Sequence, residues 1–90
     1  MAFLITCIDK EDSLDLRLAT RESHIKYLKG IKDKLILAGP ILDKKDLPCG
    51  TVLILDFKDL NQVKSFLKND PYNKVKLFKD LQITKFKKAL

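Results

Sequence analysis

The stretch KLILAGPILDKKDLPCGTVLILDF, residues 34–57, contains two apolar runs separated by a turn-rich loop. The runs at 34–42 and 51–57 are rich in Val, Ile and Leu and have the length of buried strands. The loop between them carries Asp, Pro and Gly, which favour turns. The Gly39-Pro40 pair near the end of the first run indicates a bulge or an edge strand. The middle of the chain therefore predicts two consecutive strands.

One strand and one helix are predicted on each side of this central pair. Residues 2–8 form an apolar run, and residues 14–29 have a helical spacing of apolar side chains with Gly30 as a stop. Asp59 and Gln62 resemble a capping box at the start of a second helix. A short turn or helix after Asp70-Pro71 and a last strand at 80–86 complete the order.

The order β-α-β-β-α-β is the ferredoxin-like motif, an α+β fold with a four-stranded antiparallel sheet. Right-handed connections place both helices on one face of that sheet. The first strand is nevertheless apolar on both faces, with Phe3 and Ile5 on one and Leu4 and Ile8 on the other. A second copy packed sheet to sheet, giving a dimeric α+β barrel, would cover the open face. The alternative is that these residues reflect strand propensity alone.

The composition predicts a single globular domain over residues 1–90. The chain is 46% apolar and 33% charged, and no apolar run has the roughly 20 residues that a membrane helix requires. The N-terminus lacks the basic region of a signal peptide. Cys7 and Cys49 lie far apart, which is typical of a reduced cytoplasmic protein. With a single histidine and no cysteine cluster, we expect neither a metal site nor a cofactor.

The net charge of +6 raises nucleic acid as a partner. Of 18 lysines and arginines, only Arg17 and Arg21 are arginines, and the lysines are spread along the whole chain. RNA-recognition motifs share the predicted order of elements, but the third strand here has no aromatic residues at the base-stacking positions. We therefore do not expect nucleic acid as a partner. The two arginines lie four residues apart and form a local signal, because the planar guanidinium group suits carboxylates and phosphates.

A helical wheel places charged groups on the inner side of the first helix. Its apolar stripe consists of Leu14, Leu18, Ile25 and Leu28. Arg21 falls in the middle of this stripe, and Arg17 and His24 fall on its border. A buried arginine requires a partner, either a sheet carboxylate such as Asp56 or a bound anion. The row formed by Arg17, Arg21 and His24 is therefore compatible either with a structural role or with a functional site.

The segment FLKNDPYNK, residues 66–74, poses a similar choice for Asp70. The C-terminal end of the preceding helix carries a partial negative charge, so the negative charge of Asp70 is unfavourable there. Pro71 also keeps the backbone of Asp70 out of the α region. Asp70 could cap a new short helix, with Pro71 as its first residue. It could instead serve a partner elsewhere in the chain.

Several segments together resemble the YciI-like (YCII-related) family. They are FLITCIDKEDSLDLR (3–17), RLATRESHIKYL (17–28), LILAGPIL (35–42), GTVLILDF (50–57), NDPY (69–72) and FKK (86–88). They occur in the order of the family and cover nearly the whole chain. The resemblance implies a ferredoxin-like dimeric α+β barrel, and hence a homodimer.

The resemblance also implies a site. His24 and Asp70 match the catalytic His–Asp pair of the family, in which the carboxylate orients the imidazole for acid–base chemistry. Arg17 and Arg21 would hold an anionic group or a developing oxyanion. Further substrate-binding residues would be Tyr72, Gly39 and Pro40.

The implied function is a small-molecule enzyme of unknown substrate, lyase-like or hydrolase-like, because relatives include a dehydrochlorinase of a chlorinated aromatic. No nucleophile is evident from the sequence, with Cys49 and Thr51 as outside candidates. The alternative is a non-catalytic domain that binds a small ligand or a partner in the same cleft.

Overall fold

The computed structural model describes residues 1–90 and has the predicted order of elements. The strands are β1 (Ala2–Asp9), β2 (Leu35–Leu42), β3 (Pro48–Leu55) and β4 (Phe78–Phe86). The α-helices are α1 (Leu14–Lys29), α2 (Leu60–Lys68) and α3 (Pro71–Lys74), and a single 3-10 turn (Lys32–Lys34) precedes β2.

The four strands form one antiparallel sheet in the order β2-β3-β1-β4. In the register of β1 against β3, Phe3 lies opposite Leu55 and Cys7 opposite Thr51. The helices cover one face, where buried side chains of β1 and β3 pack against Val63 and Phe66 of α2. This arrangement confirms the predicted ferredoxin-like fold.

The element boundaries differ from the sequence prediction on both sides of the β2–β3 loop and in the last strand. β3 begins at Pro48 and ends at Leu55, and β4 begins at Phe78 instead of residue 80. Gly50 is required in β3 because an added Cβ would lie 2.4 Å from the carbonyl oxygen of Cys7. The close approach of β1 thus explains a glycine that the sequence suggested only as part of a turn.

The buried face of α1 is not the apolar stripe that the helical wheel predicted. Its buried residues are Arg17, His24 and Leu28, whereas Leu18 is 53% exposed and Arg21 is exposed. The helix is rotated toward its polar row because Arg17 and His24 face carboxylates within the fold. The prediction that Arg21 lies buried in the middle of the inner face was therefore wrong.

The face of the sheet opposite the helices carries apolar side chains that nothing in the chain covers. Leu4 and Ile8 of β1 and Val52 and Ile54 of β3 are all partly exposed there, and Leu37 of β2 is exposed. This pattern agrees with the two-sided apolar character of the strands, and the dimer stays a prediction. None of the helices has the length and apolar character needed to cross a membrane.

Candidate active site

The His24 imidazole faces the Asp70 carboxylate. Nε2 of His24 lies 3.5 Å from Oδ2 of Asp70, and the two residues are only 5% and 1% exposed. Nε2 is the one buried side-chain polar atom without a hydrogen bond. Burying a polar atom without a hydrogen-bond partner costs free energy, so native proteins contain few such atoms and each requires an explanation. The separation is short enough for an ion pair and slightly long for a hydrogen bond.

Asp70 serves a second group with its other oxygen. Oδ1 accepts a hydrogen bond of 2.8 Å from the backbone N–H of Tyr72, and Pro71 occupies the first helical position of α3. The backbone of Asp70 is extended (φ −63°, ψ 128°), as its position before a proline requires. Both interpretations of Asp70 therefore apply together, since one oxygen caps α3 and the other faces His24.

Tyr72 links the imidazole to the arginine row. Its ring stacks on His24 with centroids 4.0 Å apart, and Cζ of Arg17 lies 4.6 Å from its centroid. Burial raises the pKa of the Tyr72 phenol, and the nearby charges of Arg17 and Arg21 only partly oppose that effect. The phenol is therefore protonated at neutral pH.

Arg17 is held by two residues of the sheet. Its Nε and Nη2 donate to the two carboxylate oxygens of Asp9 at 2.6 and 2.9 Å, and Nη2 also donates to Oγ1 of Thr51 at 2.6 Å. Burial lowers the pKa of the guanidinium, but the hydrogen bonds and the charge of Asp9 outweigh it, so the pKa is raised overall. The partner of the inner arginine is thus Asp9.

Sequence reasoning did not identify Asp9 as a site residue. The signal was present, because strand alternation puts Asp9 on the same face as Ile5 and Cys7. The alternative partner, Asp56, is exposed and forms no ion pair with Arg21.

These residues line a cavity of about 220 Å³ between α1 and the β2 edge of the sheet. The predicted residues on its wall are Arg17, Arg21, His24, Tyr72, Gly39 and Pro40. Asp70 lies behind His24 and does not line the cavity. Leu18 and Ile25 of α1 supply an apolar portion of the wall, together with Ala38 of β2.

Of the outside candidates, only Thr51 joins the cavity, and its hydroxyl already accepts from Arg17. Cys49 lies in a separate surface cleft. The other thiol, Cys7, is 1% exposed, and burial, with the charge of Asp70 adding to it, raises its pKa to about 12. Cys7 is therefore a neutral, inaccessible thiol beside the site.

The solved structures that are similar to this chain include an enzyme. A 5-chloro-2-hydroxyhydroquinone dehydrochlorinase from Burkholderia phenoliruptrix, solved with 2,5-dihydroxybenzoquinone, is 34% identical with a TM-score of 0.89, and the match covers 97% of this chain and 94% of that one. An antibiotic biosynthesis monooxygenase is 14% identical with a TM-score of 0.58 over the full length of both chains. At that identity, the second likeness shows the fold alone.

Comparison of sequences gives the same relationship. The protein YciI of Escherichia coli is 30% identical across 99% of each chain. The YCII-related domain matches residues 1–87, which is nearly the whole length. The chain therefore belongs to the YCII-related family.

Proposed function

We propose that this protein is a small-molecule enzyme of the lyase type, in which His24 and Asp70 form an acid–base pair. The observation that carries the proposal is the buried His24 Nε2, which faces Asp70 and finds no other partner. With Nε2 directed at the carboxylate, Nδ1 is the ring nitrogen left to exchange a proton with a ligand in the cavity. A carboxylate behind the ring orients it and stabilises its protonated form.

The side chains around the pair favour proton transfer over covalent catalysis. A nucleophile would have to be a reactive thiol or a hydroxyl next to the histidine. Cys7 is buried with a pKa of about 12, and Ser23 is exposed on the outer side of α1. Removal of a proton coupled to loss of a leaving group requires only a base and a stabilised anion, which fits the residues present.

The related dehydrochlorinase suggests the kind of ligand. Its complex contains 2,5-dihydroxybenzoquinone, a flat ring whose hydroxyl groups are acidic because the ring carbonyls share the negative charge. Arg21 is exposed at the wall of the cavity and forms no ion pair, so it is available to attract an anionic group. We extend this to a small, anionic, oxygenated ring as ligand.

A second copy of the chain is the proposed partner. The uncovered sheet face carries Leu4, Ile8, Val52 and Ile54 in a contiguous apolar surface. Exposed apolar patches of this kind mark interaction sites. Packing two such faces against each other would complete an α+β barrel and leave the cavity, on the helix side, open.

Chloride release from 5-chloro-2-hydroxyhydroquinone, the compound named for the relative, tests the proposal. We expect release by the wild type and its loss in Ala38→Phe, which places a bulky ring at the cavity wall. Ile36→Phe is the matched control, because Ile36 is an exposed residue of the same strand that does not line the cavity. Binding of 2,5-dihydroxybenzoquinone without any turnover of halogenated rings would contradict catalysis and favour a ligand-binding domain.

A further inference from the structure

We infer that the ligand of the cavity carries an apolar substituent, such as a short alkyl chain, which leaves the cavity between α1 and β2. The surface that selects this substituent is called the apolar rim and consists of Leu18, Ile25, Ala38 and Pro40. The inference rests on the proposed function, because it assumes that a small oxygenated ring occupies the cavity.

The polar and the apolar residues of the cavity lie at different depths. The buried polar side chains form its floor, and they are Arg17, His24, Thr51 and Tyr72. The apolar rim lies nearer to solvent, since Leu18 is 53% exposed and Ala38 and Pro40 are exposed as well. A ring whose oxygen atoms reach the floor therefore directs the rest of the molecule past the rim.

The apolar rim includes the part of the α1 stripe that the core does not use. Of the stripe residues, only Leu28 is buried, because α1 is rotated toward Arg17 and His24. Leu18 and Ile25 lie on the cavity wall instead. A single exposed leucine is ordinary, but two residues of one stripe at the mouth of one cavity form a surface that gains free energy when an apolar group covers it.

The facing wall consists of small apolar side chains on an edge strand. Ala38 and Pro40 of β2 lie opposite Leu53 and Thr51 of β3, so they are on the helix side of the sheet. β2 has a neighbouring strand on one side only, and the gap between it and α1 therefore opens to solvent. A short chain can pass through this gap and contact Leu18 on one side and β2 on the other.

The charges at the mouth of the cavity favour an apolar substituent over a cationic one. The cavity wall contains no carboxylate and no lysine, and Arg21 is its only exposed charged residue. Arg21 forms no ion pair, so its guanidinium is free to remain in water while the aliphatic part of the side chain extends the apolar surface. An anionic ring and an apolar substituent thus contact different parts of the same cavity.

The proposed dimer does not cover the apolar rim. Its interface is the opposite face of the sheet, which carries Leu4 and Ile8, whereas Ala38 and Pro40 face the helices. A bound ligand is therefore the occupant that the position of the rim supports, because the rim is continuous with the floor where the ring would bind.

Calorimetric titration with 2,5-dihydroxybenzoquinone and its 3-methyl and 3-propyl homologues tests the inference. Each carbon removed from water by the rim should tighten binding about two- to fourfold, so the wild type should bind the propyl compound about 10- to 50-fold more tightly than the unsubstituted one. Leu18→Gln replaces an exposed apolar side chain by a polar one that is also compatible with a helix. It should reduce this ratio of affinities to less than about fivefold.

Leu16→Gln is the matched control, because Leu16 is an exposed leucine of the same helix that does not line the cavity. It should keep the wild-type ratio. Homologues that bind the wild type no more tightly than the unsubstituted compound, or an equal loss in both variants, would overturn the inference and leave the proposed function standing. A change in sedimentation in Leu18→Gln alone would also overturn it, because a second copy would then cover the rim. If none of the three compounds binds, the proposed ligand class fails together with the inference.

Discussion

Oδ2 of Asp70 lies 3.5 Å from Nε2 of His24, while Oδ1 of the same carboxylate accepts the N–H of Tyr72 at 2.8 Å. One side chain on the loop between α2 and α3 thus fixes the imidazole and the start of the next helix. A structural role and a functional role are usually offered as alternatives for such an aspartate. Here the contact with His24 and the cap of α3 use different oxygen atoms, so substitutions can separate them.

We predict that Asp70→Asn retains stability and loses turnover. Asparagine caps helices about as well as aspartate, so thermal denaturation should change little, whereas Asp70→Ala should cost roughly 1 kcal/mol. The neutral amide cannot stabilise the protonated imidazole, and chloride release should fall by about 100-fold or more. If Asp70→Asn releases chloride at the wild-type rate, Asp70 is a cap only.

The ion pair between Asp9 and Arg17 should be the most sensitive polar contact of the fold. Both side chains are buried, and Asp9→Ala would leave a guanidinium without its carboxylate. We expect a loss of about 3–5 kcal/mol in the free energy of unfolding, measured with urea. Glu22→Ala on the exposed side of α1 is the control and should stay within about 0.5 kcal/mol. Similar values for the two variants would show that the pair is not buried as described.

Stability should fall at alkaline pH because of Cys7. Its pKa is raised from 9.0 in a free thiol to about 12 by burial in the folded state. Above pH 9 the unfolded chain therefore loses the thiol proton while the folded chain keeps it. The free energy of unfolding should decrease toward a slope of about 1.4 kcal/mol per pH unit up to pH 12.

Cys7→Ala supplies the comparison for that pH dependence. Its unfolding free energy should decline less steeply above pH 9, because the two proteins carry the same tyrosines and differ only in the Cys7 thiol. In the folded wild type, a thiol reagent should modify the half-buried Cys49 and spare Cys7. If the free energies of unfolding of the wild type and of Cys7→Ala fall in parallel as the pH rises, the fold does not keep the Cys7 thiol protonated.

The uncovered sheet face should hold two copies together. Ile54→Lys places a charge at the centre of that face and should convert a dimer into a monomer in sedimentation equilibrium. Leu60→Lys changes an exposed apolar residue on α2 and should leave the dimer intact. A wild-type protein that sediments as a monomer would contradict the proposed interface.

The fold could be predicted because each element carries its own local signal. The strands 34–42 and 51–57 are marked by apolar runs, and α2 by Asp59, whose side chain accepts the N–H of Gln62. Strand boundaries were less accurate because Pro48 and Phe78 join their strands through pairing, Pro48 with Leu42 across the loop and Phe78 with Asp9 of β1.

The site was only partly predictable. His24 and Asp70 were paired through the family resemblance, since 46 residues separate them and no local pattern joins them. The wheel assumed that apolar side chains define the inner face of α1, whereas the ion pair of Arg17 and the contact of His24 determine which face is buried. Asp9 was not identified because, in the sequence, a single acidic residue after an apolar strand cannot be distinguished from a turn residue. Only the folded structure shows its contact with Arg17.

Because His24 is the only histidine, ¹⁵N NMR of the imidazole ring reports on the acid–base pair alone. The spectrum should be recorded before and after saturation with 2,5-dihydroxybenzoquinone, the ligand of the related enzyme. We predict that Nε2, directed at Asp70, keeps its proton in both states, and that the Nδ1 resonance shifts when the ligand enters the cavity. Ring resonances that stay unchanged at saturation would contradict a role for His24 in proton transfer to the ligand.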